Sequence, residues 1–282
     1  MQSAMMPQKR AWPAAIPVKL AIVASGSARL TMPELAAIRS ESLSSFPTTL
    51  SPQLLRHSDE QTLCALVAVS KAMQQSAIEN LDFDNWAIVS SSRNLGRSAF
   101  AAVIDKYRTE GPWGVSVQVI PHCTAHAIAG TISLALASHG PCIGAGSGAN
   151  AELEALMSVA SILRQADWSG AWVVFSGWSP ELAIDPAGKP TSDSICLAAA
   201  IAVTLRPRAS SLGQIYIEAK PQPAVTLANE FPSVTLTEFL VGPSGDHGLW
   251  SSPNASAIRI HVDFRSDARS GYSDRSLAGE RG

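Results

Sequence analysis

The sequence predicts an α/β protein built around a buried, layered sheet, and three observations carry that prediction. Short apolar runs recur along the chain, at residues 18–24 (VKLAIVA), 85–90 (NWAIVS), 172–176 (WVVFS) and 195–205. They are apolar throughout instead of alternating, which marks strands buried on both faces. Between them lie longer segments whose apolar residues recur at helical spacing, and such alternation gives helices layered on a sheet.

The elements follow in chain order. Residues 18–24 form the first strand, and Ser25-Gly26-Ser27 reads as the turn that ends it. Residues 47–52 are loop. From 58 to 78, Leu63, Leu66, Val67, Ser70, Ala72, Met73 and Ala77 recur at helical spacing, and Ser58-Asp59-Glu60-Gln61 supplies a capping-box start, so this segment is a helix. A second strand at 85–90 precedes a helix over 98–108, stopped by Gly111-Pro112. Residues 115–120 (VSVQVI) read as a strand, after which Pro121 starts a helix that runs through Ala129-Gly130 to about residue 138 and ends at Gly140-Pro141. A short link then carries Gly144-Ala145-Gly146-Ser147-Gly148 into a helix over about 149–165, and two further buried strands lie at 172–176 and 195–205. Beyond Pro207, prolines at 221, 223, 232, 243 and 253 interrupt the chain, leaving strand-like pieces at 214–218 and 257–264. Residues 207–264 therefore read as a shortened appendage on a 1–206 body. Residues 265–282 are polar and without apolar periodicity, the pattern of a disordered tail.

Composition narrows the function. Charged residues make up 16% of the chain, below the roughly 25% of an average soluble domain, while 46% are apolar. Much of the surface is thus expected to be covered by protein. A net charge of −2 offers no basic field to a phosphate backbone, which argues against nucleic acid as a partner. The uncharged apolar run at 195–205 is too short for the ~20 residues a membrane span needs. Lys9 and Arg10 precede an apolar stretch, but Pro13, Pro17 and Lys19 interrupt it, so no signal peptide is read. The expectation is a soluble, cytoplasmic protein with no membrane partner.

Several small constellations invite a chemical reading. Cys64, Cys123, Cys142 and Cys196 show no metal spacing and read as buried free thiols. His122 and His126, four apart, have neither a glutamate between them nor a third ligand nearby, so helix-start and packing roles are assigned and no metal is expected. Gly144, Gly146 and Gly148 precede a helix, but the full GxGxxG spacing is missing, and no cofactor is expected. Ser147 lies in Ala-Gly-Ser-Gly-Ala, whereas a nucleophile elbow needs glycine where Ala145 and Ala149 stand. An α/β hydrolase using Ser147 is the enzyme alternative. Trp172 and Trp178 flank a buried strand and belong to the core or an interface.

Four segments form an ordered set. Leu55-Arg56-His57-Ser58-Asp59 leads into the alanine-rich helix through Ala77-Ile78. Ile120-Pro121-His122-Cys123-Thr124-Ala125-His126-Ala127-Ile128-Ala129-Gly130 then starts on its proline, with its Ala-Gly ahead of Gly140-Pro141. The small-residue elbow and its helix follow, with the 172–177 strand behind them, and the alanine-rich strand at 195–205 closes the set. In this order they resemble the N-terminal half of β-ketoacyl synthases of the thiolase superfamily, over about residues 18–206. The resemblance implies a thiolase-like layered α/β/α fold, essentially the N-terminal half of a ketosynthase with a shortened C-terminal part.

The departures from that family bear on activity. Its active members set a cysteine at the helix start behind the elbow, where the positive helix end lowers the thiol pKa so that a thiolate accepts the acyl chain. Counting without gaps from Gly140-Pro141 puts Ala149 at that position, and matching Ser147-Gly148-Ala149-Asn150-Ala151 to the family's Ser-Gly stretch puts Ala145 there. Ala149 preserves strand length and is the preferred register, and neither alanine is a nucleophile. The second half of a ketosynthase contributes two histidines, whereas residues 207–282 hold only His247 and His261. Gly245-Asp246-His247-Gly248 is similar to one histidine loop but lacks its nearby lysine.

This pattern resembles chain-length-factor subunits, in a shortened form like those of aryl-polyene-type systems. It implies a protein without catalysis of its own that forms a heterodimer with a full-length ketosynthase and meets an acyl carrier protein through that complex. The expected setting is polyketide or fatty-acid-type biosynthesis. Carried over from the family, Ile120, His122, Cys123, Thr124 and His126 are the candidates for the acyl tunnel and the subunit interface. A degenerate scaffold with no effect on chain length is the remaining alternative.

Overall fold

The computed structural model describes residues 17–40, 46–74, 78, 81–116, 119–146, 150–165, 167–185, 193–219, 235–242, 249–251 and 258–264. The 265–282 tail lies outside the described residues.

One mixed sheet organises the chain. Strand β1 (Val18–Leu30) runs antiparallel to β5 (Ile195–Thr204), which runs antiparallel to β4 (Gly170–Ser179). β4 is parallel to β2 (Trp86–Ser92), and β2 to β3 (Cys142–Ala145), so β1 to β4 share one direction and β5 opposes them. Beyond β1 the sheet continues through β6 (Gly213–Ala219), β8 (Ile258–Phe264) and β7 (Leu249–Ser251), giving the order β3-β2-β4-β5-β1-β6-β8-β7. β6 and β8 are the strand-like pieces read at 214–218 and 257–264.

Helices cover both faces. On one lie α1 (Met32–Ile38), α2 (Pro52–His57), α3 (Glu60–Met73) and α6 (His126–Leu136), packed through Leu63, Leu66, Val69, Ile128 and Ile132 against Val23, Ile88, Trp172 and Val174. On the other, α7 (Ala151–Gln165) and α8 (Leu236–Val241) lie against Ile22, Val89, Val173, Phe175 and Ile201. Trp172 and Val174 face one layer and Val173 and Phe175 the other, as a strand's alternation requires. Every residue of β2 is buried, which is why these strands are apolar on both sides. The remaining helices are α4 (Arg97–Glu110) and the short α5 (Val119–Cys123).

Several expectations are corrected. β1 does not turn at Ser25-Gly26-Ser27 but continues to Leu30. Gly26 is there because α3 crosses so closely that a Cβ would stand 2.6 Å from the Ala72 amide nitrogen and closer still to the Ala68 carbonyl oxygen. Residues 115–120 are not a strand: Val115 and Ser116 are irregular, and Val119 and Ile120 open α5. The single helix read from Pro121 to about 138 is two, broken at Thr124-Ala125. Gly144-Ala145, read as the start of a link running to Gly148, instead end the edge strand β3. The α3 helix starts one residue after Asp59, its N-cap, and ends at Met73, short of 78. α1 went unread, although Thr31 and Glu34 form a reciprocal capping box at its start.

Among the described residues, no helix is long and apolar enough to cross a membrane, and no group of three or more His, Cys, Asp or Glu is placed to hold a metal ion.

Candidate functional site

The carboxyl ends of the parallel strands β2, β3 and β4 meet the amino end of α3 and the α5–α6 junction. Open α/β sheets place their sites at such ends. The junction is set by backbone contact. Gly144 of β3 lies so close to Ala125 that any Cβ would collide with the Ala125 carbonyl, and the Ser90 hydroxyl donates to that same carbonyl at 3.3 Å. The Ala125 carbonyl, at the N-cap of α6, is thereby held against β2 and β3 at the point where the helix breaks.

A buried polar network closes the neighbouring side. Asp59 caps α3 through Oδ1, which accepts from the Gln61 amide at 2.8 Å, while Oδ2 accepts from the Gly96 amide at 3.1 Å. The Gln61 side chain donates to the Arg93 carbonyl at 2.8 Å and accepts from the Ser176 hydroxyl at 2.9 Å. These bonds tie α3 and β4 to the 93–96 loop that leads into α4. Burial, then the neighbouring Glu60 carboxylate, pushes the Asp59 carboxyl up to about 7. Arg39 pairs with Glu60 at 2.5 Å and donates to the Ser58 carbonyl at 3.2 Å.

The predicted tunnel and interface residues divide in two. Cys123 is buried inside this chain, where its Cβ and backbone fill the space beside Gly96, so it does not offer an open wall. His122 and Thr124 are half-buried, and His126 is exposed at the head of α6. Ile120 belongs to α5, and its side chain lies outside the described residues. His122 stacks on His57 with ring centroids 5.9 Å apart, across α5 and α2. The break in the helix puts His122 and His126 on different elements rather than on one helical face.

Nothing at this site supplies a thiolate. Ala145, the nucleophile position in one register, ends β3 with its methyl group buried; Ser147 and Ala149 lie outside the described residues. No cysteine occurs between Cys142 and Cys196, so residues 145–151 lack a thiol in either register. Burial pushes the Cys142 thiol up to about 11, and burial followed by the Asp59 and Glu60 carboxylates does the same to Cys123. Cys196 is raised as well, first by burial and then by Cys64. Each shift favours the protonated thiol, the reverse of an activated nucleophile.

Two acidic residues that the sequence reading passed over shape the start of α7. The Glu154 carboxylate lies against Gly146, where a Cβ would collide with it, and Glu152 accepts from the Leu236 amide at 2.8 Å, the Thr237 amide at 3.0 Å and the Thr237 hydroxyl. Both residues sit in the first turn of α7, and the Glu152 carboxylate reaches across to the first amides of α8. Their signal was the Glu-x-Glu at 152–154; the partners of Glu152 lie some eighty residues away and are invisible locally, while Glu154 meets Gly146 eight residues back. His261 sits on β8, six strands from β3 in the sheet and thus about 29 Å away at ~4.8 Å per strand. His247 lies outside the described residues.

No protein-family model matches the chain, and no curated protein matches it in sequence. Solved structures match it in fold. One is a type II polyketide synthase acyl-carrier protein in complex with its ketosynthase bound to the hexaketide (AntDE:AntF), 15% identical, with a TM-score of 0.51 over 73% of this chain and 70% of that one. The ishigamide ketosynthase/chain length factor is 14% identical, with a TM-score of 0.50 over 72% and 68%. The ketosynthase ApeO in complex with its chain length factor ApeC, from Xenorhabdus doucetiae, is 13% identical with a TM-score of 0.50, and that match covers 87% of this chain and 99% of the other. The layered sheet, the helices on both of its faces and these matches together show that the chain has the thiolase-like layered α/β fold seen in these ketosynthase and chain-length-factor structures.

Proposed function

We propose that the chain is a non-catalytic, chain-length-factor-type subunit that pairs with an active ketosynthase and shapes its acyl tunnel in polyketide or fatty-acid-type biosynthesis. The observation that carries this reading is the absence of any thiol from residues 145–151, beside Cys123 and Cys142 whose thiols are raised to about 11. Support also comes from the ishigamide and Xenorhabdus structures, each of which holds a ketosynthase with a chain length factor. The Xenorhabdus match covers that chain almost end to end, so a subunit of this reduced size has a counterpart there. In this reading residues 1–206 supply the ketosynthase-like half, residues 207–264 the shortened remainder, and the acyl carrier protein is met through the complex.

Half-buried His122 and Thr124 are the tunnel-facing candidates, next to the Ala125 junction that meets Gly144 of β3. The test is co-expression with a full-length ketosynthase, followed by size-exclusion chromatography and intact-mass analysis after incubation with acyl-loaded carrier protein. The two chains are expected to co-elute with acyl mass on the ketosynthase alone. Ala149→Cys is expected to add no condensing activity to the isolated chain, because a lone thiol lacks the histidines that polarise the thioester. An acyl adduct on the unmutated chain contradicts the reading.

A further inference from the structure

Helix α4 is fastened to the body mainly at its head. None of its residues is buried, and among the described residues it packs chiefly on α5 and on the short turn at Pro112–Gly114 that follows it. The segment leading into it is held far more firmly. The chain leaves β2 tied at Arg93, whose amide donates to the Ser176 carbonyl at 3.1 Å and whose carbonyl accepts from the Gln61 side chain at 2.8 Å. Half-buried Leu95 rests on the core. Gly96 is buried so closely against α5 that a Cβ would stand 2.6 Å from that of Cys123, and its amide donates to Asp59 at 3.1 Å. Arg97 adds only an exposed contact with Glu181 at 3.4 Å, which is worth little in water.

Points that can turn flank this fastening. Exposed Asn94 (φ 54°) lies between the Arg93 tie and Gly96, and Gly111 (φ 73°) ends the helix with no atom within 4 Å of where its Cβ would stand. Such residues at the ends of an element absorb the dihedral change of a hinge. Lifting Gly96 away admits water to Asp59, which is 6% exposed in the closed chain. Burial, then Glu60 beside it, raises this carboxyl to about 7, against the Gln61 and Gly96 amides and Arg39, which lower it. Cys123 on α5 and Cys196 on β5 also face it. Once hydrated, the carboxyl returns toward its ordinary value of 3.8, so opening releases a proton and grows easier as pH rises toward 7. We infer that α4 with the 93–96 loop is a hinged flap, latched where Gly96 meets Asp59, and that ionisation of the Asp59 carboxyl releases it. The loop continues directly from β2, so release uncovers the carboxyl end of that strand, where the candidate site lies.

The flap needs no ketosynthase partner, and the full chain alone tests it. Hydrogen exchange read by mass spectrometry, corrected for the intrinsic pH dependence of exchange, reports the opening. Amides 97–110 are expected to be about tenfold or more less protected than those of β4 and β5, since they open without global unfolding. Their protection is expected to fall by about tenfold or more between pH 5 and pH 8 and to level off above pH 7. Asp59→Asn cannot ionise, and its protection over 97–110 is expected to be the same at every pH, whatever its absolute level. Asp59→Ser, which also caps a helix without a carboxyl, carries the same expectation and guards against a folding defect peculiar to the asparagine. Protection over 97–110 equal to that of β4 and β5, protection indifferent to pH in the native chain, or a pH dependence that survives in both variants overturns the inference.

Discussion

Asp59 joins three elements through one carboxylate: it caps α3, holds the Gly96 amide at the head of α4, and lies against the α5 cysteine through the field it exerts there. Its burial sets a pH dependence with a definite sign. The folded-state pKa is raised from 3.8 to about 7, so the folded chain binds this proton more tightly than the unfolded one. The associated stability is therefore fully present below about pH 4 and is lost as pH rises through about 7, at ~1.4 kcal/mol per unit, a total on the order of a few kcal/mol. Asp59→Asn keeps a capping oxygen for the Gln61 amide and removes the titration. Urea denaturation of both proteins at pH 5 and pH 8 checks this: the mutant is expected to gain on the native protein as pH rises, and a constant difference between the two contradicts it. The same acidic corner explains why Cys123 is a packing residue. Its neighbours disfavour the thiolate, and its place against Gly96 leaves no room to enlarge it, so Cys123→Trp would disturb folding before it reported on a tunnel.

At the scale of elements, what was legible followed from spacing along the chain, and what was not followed from contacts across it. The α3 helix could be read because its apolar residues recur at helical steps behind Asp59, and β2, β4 and β5 because they are apolar on both faces. Ser25-Gly26-Ser27 has the composition of a turn, yet it is mid-strand because α3 presses its backbone against Gly26 from forty residues away. The α5–α6 break has the same kind of origin, in Gly144 and Ser90 acting on the Ala125 carbonyl. At the site, the missing thiol was legible and the Asp59 and Glu152 contacts were not, since each joins segments distant in sequence. Gly26→Ala tests the close approach of β1 and α3. Its Cβ would meet backbone rather than a movable side chain, so a loss of about 1–3 kcal/mol is expected in urea denaturation. An unchanged midpoint would show that the two elements have slack.

For the whole molecule, the low charged fraction and the exposed Phe100, Ile104, Tyr107 and Trp113 on and beyond α4 describe a chain with more apolar surface than it covers by itself. Large exposed apolar surface is characteristic of proteins that work in assemblies. Pairing with a ketosynthase would use part of that surface and would place the start of the α5–α6 segment against the acyl chain. Thr124 is the residue to probe there, being half-buried at the break between the two helices. The most direct measurement is the product-length distribution, read by mass spectrometry, from the reconstituted complex of this chain, a full-length ketosynthase and a loaded carrier protein, with Thr124 compared to Thr124→Phe. The proposed function predicts an intact complex whose products shift to shorter chains; an unchanged distribution from intact complexes contradicts it and leaves the chain a scaffold without influence on length.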